Sequence, residues 1–154
     1  MQKLKQHLKE NTFSPVYLLY GQEDYLKKVY RDKLRNAILS PDDTMNYSYF
    51  EGKDMDLTQV RSIADTVPFF SEKRLVVIEN SGLFKKQSDF GEYITQLPDT
   101  TNIIFVESEV DKRNKLYKKR KRRYNTMCQI GDIYMASLNA EGNLQSGTRP
   151  VLIV

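Results

Sequence analysis

The chain of 154 residues has a single cysteine, Cys128, and a single histidine, His7. One cysteine forms no internal disulfide, and so few soft ligands exclude a zinc site of the usual kind. No segment approaches the roughly 20 apolar residues that span a bilayer, and the opening MQKLKQHLKE lacks the apolar stretch of a secretory signal. A cytoplasmic protein without metal, disulfide or membrane partner is therefore expected. A Gly-x-Ser-x-Gly elbow and a histidine placed as a base are also missing. The acids Asp54, Asp56, Glu107 and Glu109 fall at expected helix starts or strand ends, where capping and solvation account for them. No catalytic residue is assigned, and binding is the expected role of residues 1–117.

What is present begins with charge. The formal net charge is +4, but its distribution is uneven. Residues 1–117 hold 17 Lys and Arg against 18 Asp and Glu, and residues 124–154 hold one against two. The excess therefore sits in one run, Lys118, Lys119, Arg120, Lys121, Arg122 and Arg123. Two readings stand for it: a nucleic-acid contact, or a solvated connector.

The periodicity alternates between two kinds. Leu4 and Leu8 predict a short opening helix. The run VYLLY at 16–20, bounded by Pro15 and Gly21, predicts a buried strand. Apolar residues at helical spacing predict a long helix over 23–39, which the sequence SPDD stops. NYSYF at 46–50 reads as a second strand, 56–67 as a helix, RLVVIE at 74–79 as a third strand, 89–97 as a helix and TNIIFVE at 101–107 as a fourth strand. Strands that alternate with helices, through connections too long for hairpins, predict an α/β fold of three layers around a mainly parallel sheet.

In nucleotide-binding α/β proteins the turn after the first strand cradles phosphate. Here it reads Gly21-Gln22-Glu23-Asp24, with one glycine, no Gly-Lys-Ser/Thr, and two carboxylates that suit the helix dipole but repel phosphate. The architecture of a nucleotide-binding protein without its chemistry is expected, with no cofactor.

The stretch VPFFSEKR at 67–74 is the least ordinary connector. Pro68 fixes its own φ and restricts Val67. Phe69 and Phe70 can fold inward to cap the core, as most phenylalanines do. They can also point outward, where a rigid aromatic with a charged rim has the composition of an interface hot spot. The residues alone leave both open.

Taken in order, PVYLLYGQEDYL, NYSYFEGKD, TVPFFSEKRLVVIEN and TNIIFVESEVDKRNKLYK resemble the N-terminal domain of the delta subunit of bacterial DNA polymerase III, the subunit of the clamp loader that engages the sliding clamp, over residues 1 to about 118. The resemblance implies a P-loop-ATPase-related (AAA+-like) fold with a degenerate P-loop and no catalysis of its own. It implies that Phe69 and Phe70 are a plug that inserts into a hydrophobic pocket of the ring-shaped clamp and helps open one of its interfaces, with Ser71, Glu72, Lys73 and Arg74 as rim contacts. The partners implied are the sliding clamp, the other clamp-loader subunits in full-length family members, and DNA indirectly. Clamp binding without incorporation into a loader is expected, because the family's later domains do not follow.

Residues 119–126 read as a basic linker, and the composition then changes. GDIYMASL and QSGTRPVLIV predict strands over 130–138 and 149–154, a β-hairpin-like tail. They resemble the start of PemK/MazF-type endoribonuclease toxins, which implies that Arg149 is a remnant of an RNA-cleaving site. The tail reads either as an incomplete fragment of such a barrel, fused at the basic run, or as extra strands on the edge of the preceding sheet. Three functions follow: a clamp-binding delta-like fragment, a toxin-like endoribonuclease, or a non-specific nucleic-acid binder.

Overall fold

The computed structural model describes residues 2–117 and 133–137. Along the chain these form α1 (Gln2–Glu10), β1 (Val16–Tyr20), α2 (Asp24–Ile38), β2 (Tyr47–Glu51), α3 (Leu57–Ala64), β3 (Arg74–Glu79), α4 (Phe90–Ile94), β4 (Thr101–Glu107) and β5 (Ile133–Ser137). The strands make one sheet in the order β2-β3-β4-β1-β5, and every pairing is parallel.

A parallel sheet needs cover on both faces, so its central strands read as continuous apolar runs. β3 and β4 are buried at every position. One face carries Val16, Leu18, Val76, Ile78, Ile103 and Phe105 against Val60, Ala64, Phe90 and Ile94 of α3 and α4. Phe105 anchors that layer, with Phe84 and Phe90 edge-on to its ring at 5.0 and 6.1 Å. The alternate residues Tyr17, Leu19, Leu75, Val77, Ile104 and Val106 meet Leu4 of α1 and Leu34 of α2 on the other face. This is the expected three-layer α/β fold.

Two helices stop short of their apolar patterns. α3 ends at Ala64 rather than Val67, since Pro68 drives Val67 out of helical geometry, and the Arg74 guanidinium takes the carbonyls of Thr66 and Val67 just beyond the helix. After α4 the chain tightens, with Thr95, Gln96 and Leu97 amides each donating to a carbonyl three residues back before Pro98.

Of the expected tail hairpin only the first strand falls among the described residues. β5 pairs in parallel with β1, with Val16 opposite Ile133 and Tyr20 opposite Ser137, so it extends the sheet edge. The second tail strand, expected over 149–154, lies outside the described residues.

Candidate partner-binding site

In a parallel sheet the loops that follow strands gather at one end and those that precede strands at the other. The first turn, 21–24, belongs to the carboxyl end, where ligands of open α/β sheets bind. The connector from Asp65 to Lys73 belongs to the amino end.

At the carboxyl end Gly21 holds a φ of 131° and turns the chain into α2. Glu23 caps that helix without a side-chain bond, and Asp24 stands in its first turn. Lys27 lies six residues after Gly21, the spacing of a P-loop lysine, but Leu26 and Lys28 replace the glycine and the hydroxyl residue around it. Its buried ammonium is already engaged, 3.0 Å from the Asp24 carboxylate and donating at 3.3 Å to the carbonyl of Glu107.

A cleft of about 470 Å³ opens beside it. Across this cleft Arg31 donates to Glu79 at 2.5 Å, while the Tyr49 hydroxyl donates to Glu79 at 3.0 Å and Glu51 at 3.1 Å. Burial and these two carboxylates raise the Tyr49 pKa. The Glu107 carboxylate, at the end of β4, accepts from the Ser81 amide at 3.1 Å, its hydroxyl at 2.7 Å and the Gly82 amide at 3.3 Å. Burial nevertheless pushes its pKa up. The charges of this end satisfy one another.

The amino end is finished differently. Six large apolar or aromatic side chains are exposed among the described residues, and four of them, Met45, Val67, Phe69 and Phe70, come from this end. Phe69 is 53% exposed and Phe70 94%. Their rings meet edge to face at 4.4 Å. Both therefore lie outward, which decides between the two readings of the connector.

The connector is held by side chains. The Phe69 amide donates to Asn46 Oδ1 at 2.6 Å, and Asn46 Nδ2 returns a bond to the Phe69 carbonyl at 2.9 Å. Ser71 Oγ lies 3.4 Å from the Lys73 amide and 3.2 Å from its carbonyl, closing a small turn. Lys73 reaches the carbonyl of Asp99 at 2.9 Å, and Glu72 is exposed.

Arg74 corrects one expectation. Its side chain is 7% exposed, with Nε donating to Thr66 at 3.0 Å and Nη2 to Val67 at 3.4 Å. It braces the connector from beneath and does not form part of a rim. Asn46 was missed, since in the sequence it reads as the first residue of the second strand and its side-chain partner lies 23 residues away. Lys118, Lys119, Arg120, Lys121, Arg122, Arg123 and Arg149 lie outside the described residues.

Comparison with known proteins bears on this arrangement. The family profile described as DNA polymerase III, delta subunit, matches residues 17–129, a span that takes in the basic run. The DNA polymerase III subunit delta of Bacillus subtilis (strain 168) is 32% identical over 128 residues, which cover 75% of this chain and 37% of that protein. The solved Bacillus subtilis DNA clamp loader delta protein, YqeN, superposes with a TM-score of 0.73 at 24% identity, over 90% of this chain and 43% of that one. A DNA polymerase III gamma subunit-related protein from Thermotoga maritima superposes with a TM-score of 0.57 at 11% identity, over 89% of this chain and 46% of that one. These two likenesses speak for the fold, and the chain spans less than half the length of the relatives it matches. None of these matches favours an endoribonuclease. With a profile match over most of its length and a curated relative above 30% identity, the chain belongs to the DNA polymerase III delta subunit family.

Proposed function

We propose that this chain acts in DNA replication in the cytoplasm as the clamp-engaging part of a clamp-loader delta subunit, docking on the sliding clamp through Phe69 and Phe70. One observation carries the reading: an outward aromatic pair, packed edge to face and fixed on a short connector. Burying two phenylalanine side chains supplies roughly 3 to 6 kcal/mol before association costs. Ser71, Glu72 and Lys73 surround the pair with polar groups that set its register on the partner. Arg74 contributes by shaping the connector. The other loader subunits, and DNA through them, are partners of the full-length subunit. The carboxyl end, with its charges paired internally, has no catalytic part in this function.

The test is surface plasmon resonance against a bacterial sliding clamp, comparing the parent with a Phe69→Ala, Phe70→Ala double variant whose folding is verified by circular dichroism. Hot-spot truncation costs at least about 2 kcal/mol, so the variant should bind at least about 30-fold more weakly. Equal binding by the two proteins would sink the plug.

A further inference from the structure

The aromatic pair raises a physical problem that its exposure alone does not solve. A connector with no strand pairing and two free phenyl rings gains by folding those rings back onto the nearest apolar surface. Phe70 instead holds a φ of 53°, in the left-handed region where the Cβ of a bulky residue is crowded by the backbone. The other non-glycine residues with positive φ among those described are Asn11 and Asn80, a residue type that tolerates it. Such a conformation persists only where the surroundings over-determine it.

Arg74 and the Ser71 turn brace the flanks of the connector, and at Phe69 itself the constraint is one side chain. Asn46 is 1% exposed and satisfies both backbone groups of Phe69, accepting from the amide and donating to the carbonyl. Two antiparallel bonds to one residue fix the plane of its backbone much as a neighbouring strand would. Asn46 is in turn oriented by Asp43, whose carboxylate oxygens lie 3.2 and 3.0 Å from Nδ2. The same carboxylate accepts from the Asn46 amide at 3.0 Å and the Met45 amide at 3.1 Å. Flipping the asparagine amide would set its oxygen against the Asp43 carboxylate and the Phe69 carbonyl, so a single orientation is allowed. The Asn46 carbonyl meanwhile accepts from the Leu75 amide at 2.9 Å, which ties this residue to the start of β3.

We infer that Asn46, oriented by Asp43, is the positioning residue that presents Phe69 and Phe70 to the partner. The inference rests on the clamp-docking reading of the aromatic pair. Asn46 does not itself supply contact energy; it raises the fraction of molecules whose connector is already competent to bind. Apparent affinity scales with that fraction, and rigidifying a loop in its bound form removes an ordering cost.

Two readouts on the full chain test this: clamp affinity by surface plasmon resonance, and the rate at which chymotrypsin cuts after Phe69 or Phe70, each with a thermal unfolding midpoint. Asn46→Ala removes the clamp on Phe69. Asn46→Asp keeps its shape but turns a second acid toward Asp43. Both should be cut faster and bind roughly 5- to 50-fold more weakly. Asp43→Asn keeps one acceptor oxygen but sets an amide nitrogen beside Nδ2, so it should loosen the connector less than Asp43→Ala, which, at a half-buried loop position, should loosen it even if both Asn46 variants fail to fold. Parental cutting rates and affinity in a folded Asn46→Ala protein, or in Asp43→Ala where Asn46→Ala does not fold, overturn the inference. If the parent itself ignores the clamp, the docking reading fails, and the cutting rates still decide whether Asn46 fixes the connector.

Discussion

The two ends of the sheet hold the same kinds of residue in opposite states of completion. At the carboxyl end Asp24, Lys27, Arg31, Glu79 and Glu107 are all engaged by other groups of the same chain. At the amino end Asn46 and Arg74 pair the backbone of the connector, but the aromatic rings it carries face outward, Phe70 almost wholly and Phe69 by half. A paired charge has no free energy left for a ligand unless the pair is first broken, whereas an exposed ring retains burial energy in proportion to its exposure. The two ends of the sheet therefore differ in which groups remain unsatisfied, and the number of polar residues is a poor guide to either.

Arg74 offers the strongest way to break that contrast. Replacing it with alanine removes two charge-assisted bonds to the carbonyls of Thr66 and Val67, along with the packing of a buried side chain. The expected loss is about 2 kcal/mol of stability, read as a lower urea midpoint. Clamp binding should fall as well, through a looser connector. If stability holds and only binding falls, Arg74 touches the partner directly and belongs to the rim.

Glu107 sharpens the comparison from the other end. Burial raises its pKa, against the pull of the Ser81 and Gly82 donors and the nearby Lys27 charge. For a carboxyl group raised in the folded state, the protonated form is favoured by folding. That contribution is complete below the ordinary value of 4.5 and is lost as pH climbs through the raised one. Glu107→Gln, neutral throughout, removes the titration. The stability difference, parent minus variant, should thus decline with rising pH above 4.5, as measured by urea unfolding at stepped pH. A flat difference would mean that the Ser81 and Gly82 bonds fully offset the burial.

Much of the fold was legible in the sequence because its strands are buried on both faces. VYLLY, RLVVIE and TNIIFVE are the observed β1, β3 and β4. The exact end of α3 was not legible, since the residues just past it are held by Arg74 from the start of the next strand. Nor was the pairing of β5, because alternation within IYMAS says nothing about which strand it will join or in which direction. At the site, the two phenylalanines stood out as an oddity of composition, and their outward direction came from an asparagine 23 residues upstream. Arg74 was misread because a cation at the start of a strand, following Glu72 and Lys73, looks solvated when only the chain is visible.

The smallest expected effect is the binding of ATP, and it bears most directly on the carboxyl end. A phosphate arriving at the start of α2 would need the Lys27 ammonium, which would have to leave Asp24 at 3.0 Å and the Glu107 carbonyl at 3.3 Å. It would also meet the carboxylates of Asp24, Glu51 and Glu79, which line the adjoining cleft. Leu26 stands where a P-loop has its second glycine, and so places a side chain where backbone must approach the phosphate closely. Calorimetric titration with ATP should give no saturable heat in the micromolar range. Micromolar affinity would mean that the Lys27 network opens at little cost, and the two ends of the sheet would then differ in the size of their ligands rather than in whether they take one.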